Sequence, residues 1–195
     1  MISPVMPMCR SALVAGAALV AFAGSAFAAG SVPLAELAKP GRVLLLRHAH
    51  APGIGDPPEF RLGDCATQRN LDATGRRQAA QLGRRIVQAG VKGARIYSSQ
   101  WCRTLETARL LDVGPVKPLP ALNSFFGNPT AREGYIAALR GFLAALPADG
   151  PPVVLVTHQV TITAITGEFV GSGGGTMLQL DGSPTPRIVG EIEAN

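Results

Sequence analysis

The chain has 195 residues, a length that suits one domain or one domain plus a leader. Its 18 Lys and Arg outweigh its 13 Asp and Glu, for a formal net charge of +5. The basic residues are scattered and form no run, which argues against a nucleic-acid partner.

The first element in chain order reads as a leader. Arg10 is the only charged side chain before Glu36, and Ala12 to Ala23 is an apolar stretch. Ala26-Phe27-Ala28 then puts small residues at the two positions a signal peptidase reads. The apolar stretch is too short for a spanning helix, which needs about 20 residues. The expectation is a signal peptide over residues 1–28, cleaved after Ala28. The mature protein would be periplasmic or secreted, with no stable membrane insertion. Only Cys65 and Cys102 remain after such cleavage. Two cysteines in an exported chain make a Cys65–Cys102 disulfide the expectation.

Residues 29–41 read as a short N-terminal arm, followed by one domain over 42–195. Arg42 to Arg47 (RVLLLR) is a compact apolar run, expected as a buried strand. Residues 51–70 hold Pro, Gly and charges, and read as a long loop; such loops are usually functional. Asp72 is placed to cap a helix running to about Ala89, with Ala79, Leu82 and Ile86 on one face and Gly90 as its stop. Ala94 to Tyr97 reads as a second strand, with Ser98 or Ser99 capping a helix through Leu111. Val116 to Leu119 is a short third strand. Thr130 and Glu133 have capping-box spacing before a helix that ends at Pro147. Val153 to Thr157 is a strand, 160–170 a helix, and Gly171 to Gly175 a turn. Thr176 to Leu180 and Arg187 to Glu191 form a final antiparallel pair. Strands alternating with helices predict an α/β fold: a three-layer sandwich with a mainly parallel central sheet flanked by helices.

Two histidines leave two of these strands at the same relative place. His48 follows the first strand, and His158 follows Val153–Thr157. Ligands gather beyond the carboxyl ends of strands in open α/β sheets. Arg103 opens a helix after another strand, where backbone N–H groups favour an anion, and Arg47 flanks His48. A lone histidine or arginine in such a place is more often structural. Together, two Arg, two His and a helix N-terminus can converge on one tetrahedral anion.

These residues resemble a known family. Leu46-Arg47-His48-Ala49 looks like the Arg-His-Gly/Ala signature of the histidine phosphatase, or phosphoglycerate-mutase-like, family. Leu71-Asp72-Ala73-Thr74-Gly75 with Gln78-Ala79 resembles its first-helix pattern. Tyr97-Ser98-Ser99 with Arg103-Thr104 and Thr107-Ala108, then Val156-Thr157-His158, are similar to its later blocks. The resemblance spans residues 42–170 in order and implies the phosphoglycerate-mutase-like fold. It also implies a phosphatase without metal or other cofactor. His48 would take the phosphoryl group and pass it to water. Arg47, Arg103 and His158 would hold its oxygens, with Asn70 as a neutral donor. The substrate would be a phosphorylated small molecule or a phosphorylated macromolecule.

One departure concerns the proton donor to the leaving group. Many members carry a Glu after a Leu-Asn pair, but here Ser124 follows Leu122-Asn123. Others carry an Asp after the second His, but here Gln159 stands. Asp56, Glu59 and Asp64, in the loop after His48, are candidates, as is Glu133. Two rival readings remain. One is a zinc hydrolase using His48, His50 and His158, against which the neighbouring Arg47 argues. The other is a non-catalytic protein that binds phosphate esters. Export argues against a mutase.

Overall fold

The computed structural model describes Met1 and residues 30–194. Residues 2–28 of the expected signal peptide lie outside the described residues. Among the described residues, no helix is long and apolar enough to cross a membrane.

Six strands form one sheet: β1 (Arg42–Arg47), β2 (Arg95–Ser98), β3 (Val116–Pro118), β4 (Val153–Thr157), β5 (Gly175–Gln179) and β6 (Arg187–Ile192). Their order is β3-β2-β4-β1-β5-β6. The first four are parallel, while β5 and β6 run antiparallel at one edge. The expectation of a mainly parallel sheet is met. Four helices flank it: α1 (Ala73–Gln88), α2 (Cys102–Leu111), α3 (Arg132–Ala145) and α4 (Gln159–Thr166).

The apolar run of β1 explains the layering. Successive strand side chains point to opposite faces. Leu44 and Leu46 therefore pack with Val154 and Val156 against Leu82 and Ile86 of α1 and Leu111 of α2. Val43 and Leu45 pack with Val153 and Leu155 against Leu139 and Leu143 of α3 and Ile162 of α4. All four apolar side chains of β1 are fully buried. Each contributes about 1.5–3 kcal/mol of transfer free energy. A run without polar alternation is what a central strand covered on both faces requires.

Several boundaries follow local chemistry. Asp72 caps α1 as expected, accepting from Gly75 N at 2.7 Å. Gly75 is needed there: a Cβ would lie 2.0 Å from the carbonyl oxygen of His50. Gly90, at φ +80°, follows the end of α1. Three expectations are corrected. Trp101 occupies the N-cap of α2 and makes no side-chain cap bond, so neither Ser98 nor Ser99 caps that helix. The Thr130–Glu133 capping box does not form. Pro129 opens a 3-10 turn over Pro129–Ala131, and the Thr130 hydroxyl donates to Asn128 instead. Finally, α4 stops at Thr166, where Gly167 takes up φ +81°, rather than reaching residue 170.

The described part of the arm joins the domain. Leu34–Ala38 forms a one-turn 3-10 helix whose Leu37 is buried, and Ser31 bridges to Glu191 at the β6 edge. The 51–70 loop carries one short 3-10 turn, Cys65–Thr67.

Candidate active site

The site is built where β1 and β4 end side by side. Arg47 and Thr157 are in register, and the His48 N–H donates to the Thr157 carbonyl at 3.0 Å. This extends the ladder by one step and fixes both histidines. Their rings lie 5.6 Å apart, edge to face. The carbonyls of Arg47 and His48 both accept from Gly173 N, which holds this strand end from the other side.

His48 is buried, and its Nδ1 lies 2.7 Å from its neighbour's carbonyl, Ala49 O. A carbonyl only accepts, so Nδ1 carries the proton and Nε2 keeps the free lone pair. Burial lowers the His48 pKa to about 3, and the Arg103, Arg69 and Arg47 charges add to this against the Ala49 hydrogen bond. The ring is neutral at any ordinary pH, as a nucleophile must be.

His158 is also buried, and its pKa is held well below the ordinary value by burial and then by Arg103. Its Nε2 lies 2.8 Å from Ser99 Oγ. Ser99 Oγ in turn donates to Asn123 Oδ1 at 3.3 Å. With the hydroxyl proton used on Asn123, His158 donates through Nε2–H. Its Nδ1 then faces Arg103 Nη2 at 3.5 Å. Ser99 and Asn123 thus orient His158, the role that withdrew Ser99 from capping α2.

Arg103 is 3% exposed, and its Nε has no partner. Its two terminal nitrogens are gripped by Asp56, at 2.7 Å from Oδ1 and 3.2 Å from Oδ2. Arg47 is held by the Val170 carbonyl at 2.9 Å. Gln159, which follows His158, spends its amide on the same segment. It accepts from Val170 N and donates to Thr163 and to the Glu168 carbonyl.

The structure redistributes the remaining candidates. The Asn70 amide donates to the carbonyls of Cys65 and Gln68, so it braces its own loop. The adjacent Arg69, which sequence reasoning missed, supplies the third cation. Its side chain is aimed by the carbonyls of Ala51 and Gly55, and its charge bears on both histidines. Of the four carboxyl candidates, Asp56 contacts the site. Asp64 caps the 3-10 turn and pairs with Arg61, while Glu59 and Glu133 are exposed.

Burial alone would raise the Asp56 pKa. The hydrogen bond and charge of Arg103, with Arg69 N–H and the Trp101 indole, outweigh it and lower the net value. Asp56 is therefore ionised where it stands and has no proton to give. His50, which a three-histidine zinc site needs, is exposed and pairs with Asp72 at 3.2 Å. Among the described residues no cluster of metal-ligating side chains forms.

Cys65 and Cys102 are bonded, with Cα atoms 5.7 Å apart, well inside the range a disulfide allows. The bond ties the 51–70 loop to the residue before Arg103. Gln68 reinforces it by accepting from Cys102 N at 2.9 Å.

The model of the histidine phosphatase superfamily (branch 1) matches residues 43–128, which include His48 and Arg103 but stop short of His158. No curated protein matches the sequence. Solved structures match the fold. The protein histidine phosphatase SixA complexed with tungstate superposes with a TM-score of 0.57 at 18% identity, covering 78% of this chain and 97% of that one. A mycobacterial glucosyl-3-phosphoglycerate phosphatase gives 0.55 at 19% identity, covering 80% and 99%. A phosphoserine phosphatase of Entamoeba histolytica gives 0.52 at 18% identity, covering 78% and 96%. The chain is thus histidine-phosphatase-like, in sequence over residues 43–128 and in fold over most of its length.

Proposed function

We propose that this protein is an exported phosphatase that works without metal, through a phosphohistidine on His48. The observation that carries this reading is the state of His48. It is a neutral imidazole whose Nδ1 proton is tied to Ala49 O, which leaves the Nε2 lone pair beside three arginines. Nε2 attacks phosphorus and the ester oxygen departs on the opposite side. Arg47, Arg69 and Arg103 offset the charge on the equatorial oxygens, and the neutral His158, fixed by Ser99, holds its Nδ1 against Arg103. Water then attacks the phosphohistidine, releasing phosphate and restoring the neutral ring. The fixed arginines are already desolvated, so they need no reorganisation as charge develops.

Asp56 is ionised and clamped, so the first step proceeds without a carboxylic acid donor. That favours phosphate on weakly basic leaving groups, such as aryl oxygens or nitrogen. A neighbour in fold is a protein histidine phosphatase, consistent with such chemistry. The disulfide supports export, since such bonds persist in oxidising compartments. The test is a series of phosphates of graded leaving-group basicity. The reading expects turnover to fall steeply as basicity rises, with no effect of a chelator and inhibition by vanadate. Loss of activity on chelation would overturn the metal-independent mechanism.

A further inference from the structure

The phosphate site has an apolar rim. The described chain exposes few large hydrophobic side chains apart from Met1, and three of them lie on segments that adjoin the site residues: Ile54, Phe126 and Phe169 are 90%, 58% and 74% exposed. Ile54 sits in the loop that carries Asp56 to Arg103. A Cβ on the adjacent Gly55 would lie 3.7 Å from the Phe126 ring, so these two segments meet. Phe169 has its ring 5.9 Å from the Arg47 guanidinium. A third wall is aromatic: Trp101 packs on His158 at 5.4 Å, and Phe60 stacks on Trp101 at 5.0 Å. The carboxylate that contacts the site, Asp56, is consumed by Arg103.

A phosphoryl group held by the arginines leaves its ester substituent pointing outward, between these walls. Side chains of this kind reward an apolar substituent and offer a polyol no hydrogen bonds. Scattered exposed hydrophobics mean little, but three around one cationic hole form a patch with a purpose. We infer that the substrate is a soluble phosphate monoester whose substituent is aromatic or otherwise apolar, seated against Ile54, Phe126 and Phe169. This assignment rests on the phosphatase reading above. A bilayer-embedded lipid fits less well, because the same loop exposes Glu59 and Arg61, whose charges membrane contact would bury.

The experiment compares 4-hexylphenyl phosphate with phenyl phosphate, whose leaving phenols are of similar basicity. It is run on the protein and on an Ile54→Ser/Phe126→Ser variant. The inference expects kcat/KM at least tenfold higher for the hexyl compound, an advantage reduced to about threefold or less in the variant. Turnover of acetyl phosphate, which has no apolar body, should be the same in both proteins and reports that the variant is folded. Calorimetric binding of 4-hexylbenzylphosphonate against benzylphosphonate makes the same comparison without any reaction. Equal affinities and equal kcat/KM for the two members of each pair would overturn the inference while leaving the phosphatase reading intact. Failure of that reading would instead show as no acetyl phosphate turnover, with the phosphonate pair still deciding the rim. Better turnover of phosphatidic acid in vesicles than of the soluble hexyl compound would also overturn it.

Discussion

The two strand-end histidines and the 51–70 loop build one site by opposite means. His48 and His158 are placed by the sheet: adjacent parallel strands in register, one hydrogen bond past the last paired residues. The loop has almost no regular structure, yet it delivers Asp56 and Arg69 to the same centre. It is held by scattered links: the Cys65–Cys102 bond, Gln68 on Cys102 N, and the Asp56–Arg103 pair. The sheet supplies the two histidines, the proposed nucleophile among them, and their orientation. The loop supplies the remaining charge and sets how Arg103 is presented.

The sharpest way to break this comparison is to remove one cation from each side. Arg103→Ala should lower kcat/KM a hundredfold to a thousandfold, as expected for a fixed donor in a desolvated site. Arg69→Ala should cost tenfold to a hundredfold, although a polar loop carries it. Arg84→Ala, exposed on α1, should change nothing. An Arg69→Ala protein as active as Arg84→Ala would show that the loop does not reach the reacting group.

Next in size is the covalent tie. Replacing both Cys65 and Cys102 by Ser should cost about 3–4 kcal/mol on the chain-entropy account, given a sequence separation of 37. Urea unfolding measures this directly. A loss under about 1 kcal/mol would mean that the polar links fix the loop without it. A smaller effect is expected at Ser99. Ser99→Ala frees the His158 ring and should lower kcat about tenfold, with little change in KM, since the hydroxyl does not itself face the substrate.

The last effect is on pH. The folded pKa of His48 lies at about 3 and that of His158 well below 6.5. Below pH 6.5 the unfolded chain takes up protons at these rings and the folded chain does not. Stability is therefore greatest above 6.5 and falls as pH drops towards the folded values. Asp56, with its lowered pKa, adds a loss of the same sign at the acid end. The urea midpoint should fall between about pH 7.5 and about pH 5, and His48→Gln should flatten the slope. In kinetics, kcat/KM should show no acid limb near pH 6.5 from protonation of the nucleophile. Such a limb, seen with a substrate that does not itself ionise near pH 6.5, would contradict the neutral-ring account.

The same contrast explains what could be read from the residues. The β1 run, the Val153–Thr157 strand, the Asp72 cap and the histidine at each strand end are local patterns, and the folded chain keeps them. Arg69 was not legible, because its course is set by the carbonyls of Ala51 and Gly55 and no periodicity marks it. Its neighbour Asn70 has the chemistry of a phosphate donor but spends it within the loop. Ser99 has the look of a helix cap, yet a long-range contact with His158 claims its hydroxyl. The Thr130–Glu133 spacing was overridden by Pro129, which starts a tighter turn. The Asp56 carboxyl could be nominated from its position, but its ionisation depends on Arg103, 47 residues away.

The central claim is that His48 Nε2 carries the phosphoryl group. Brief mixing with a phosphorus-labelled aryl phosphate, followed by quenching, should leave acid-labile, alkali-stable label on the protein, mapped to the peptide bearing His48. His48→Ala should take up none and turn over no substrate, while His158→Ala should retain some label. Full turnover by His48→Ala, or label on any other side chain, would contradict the account.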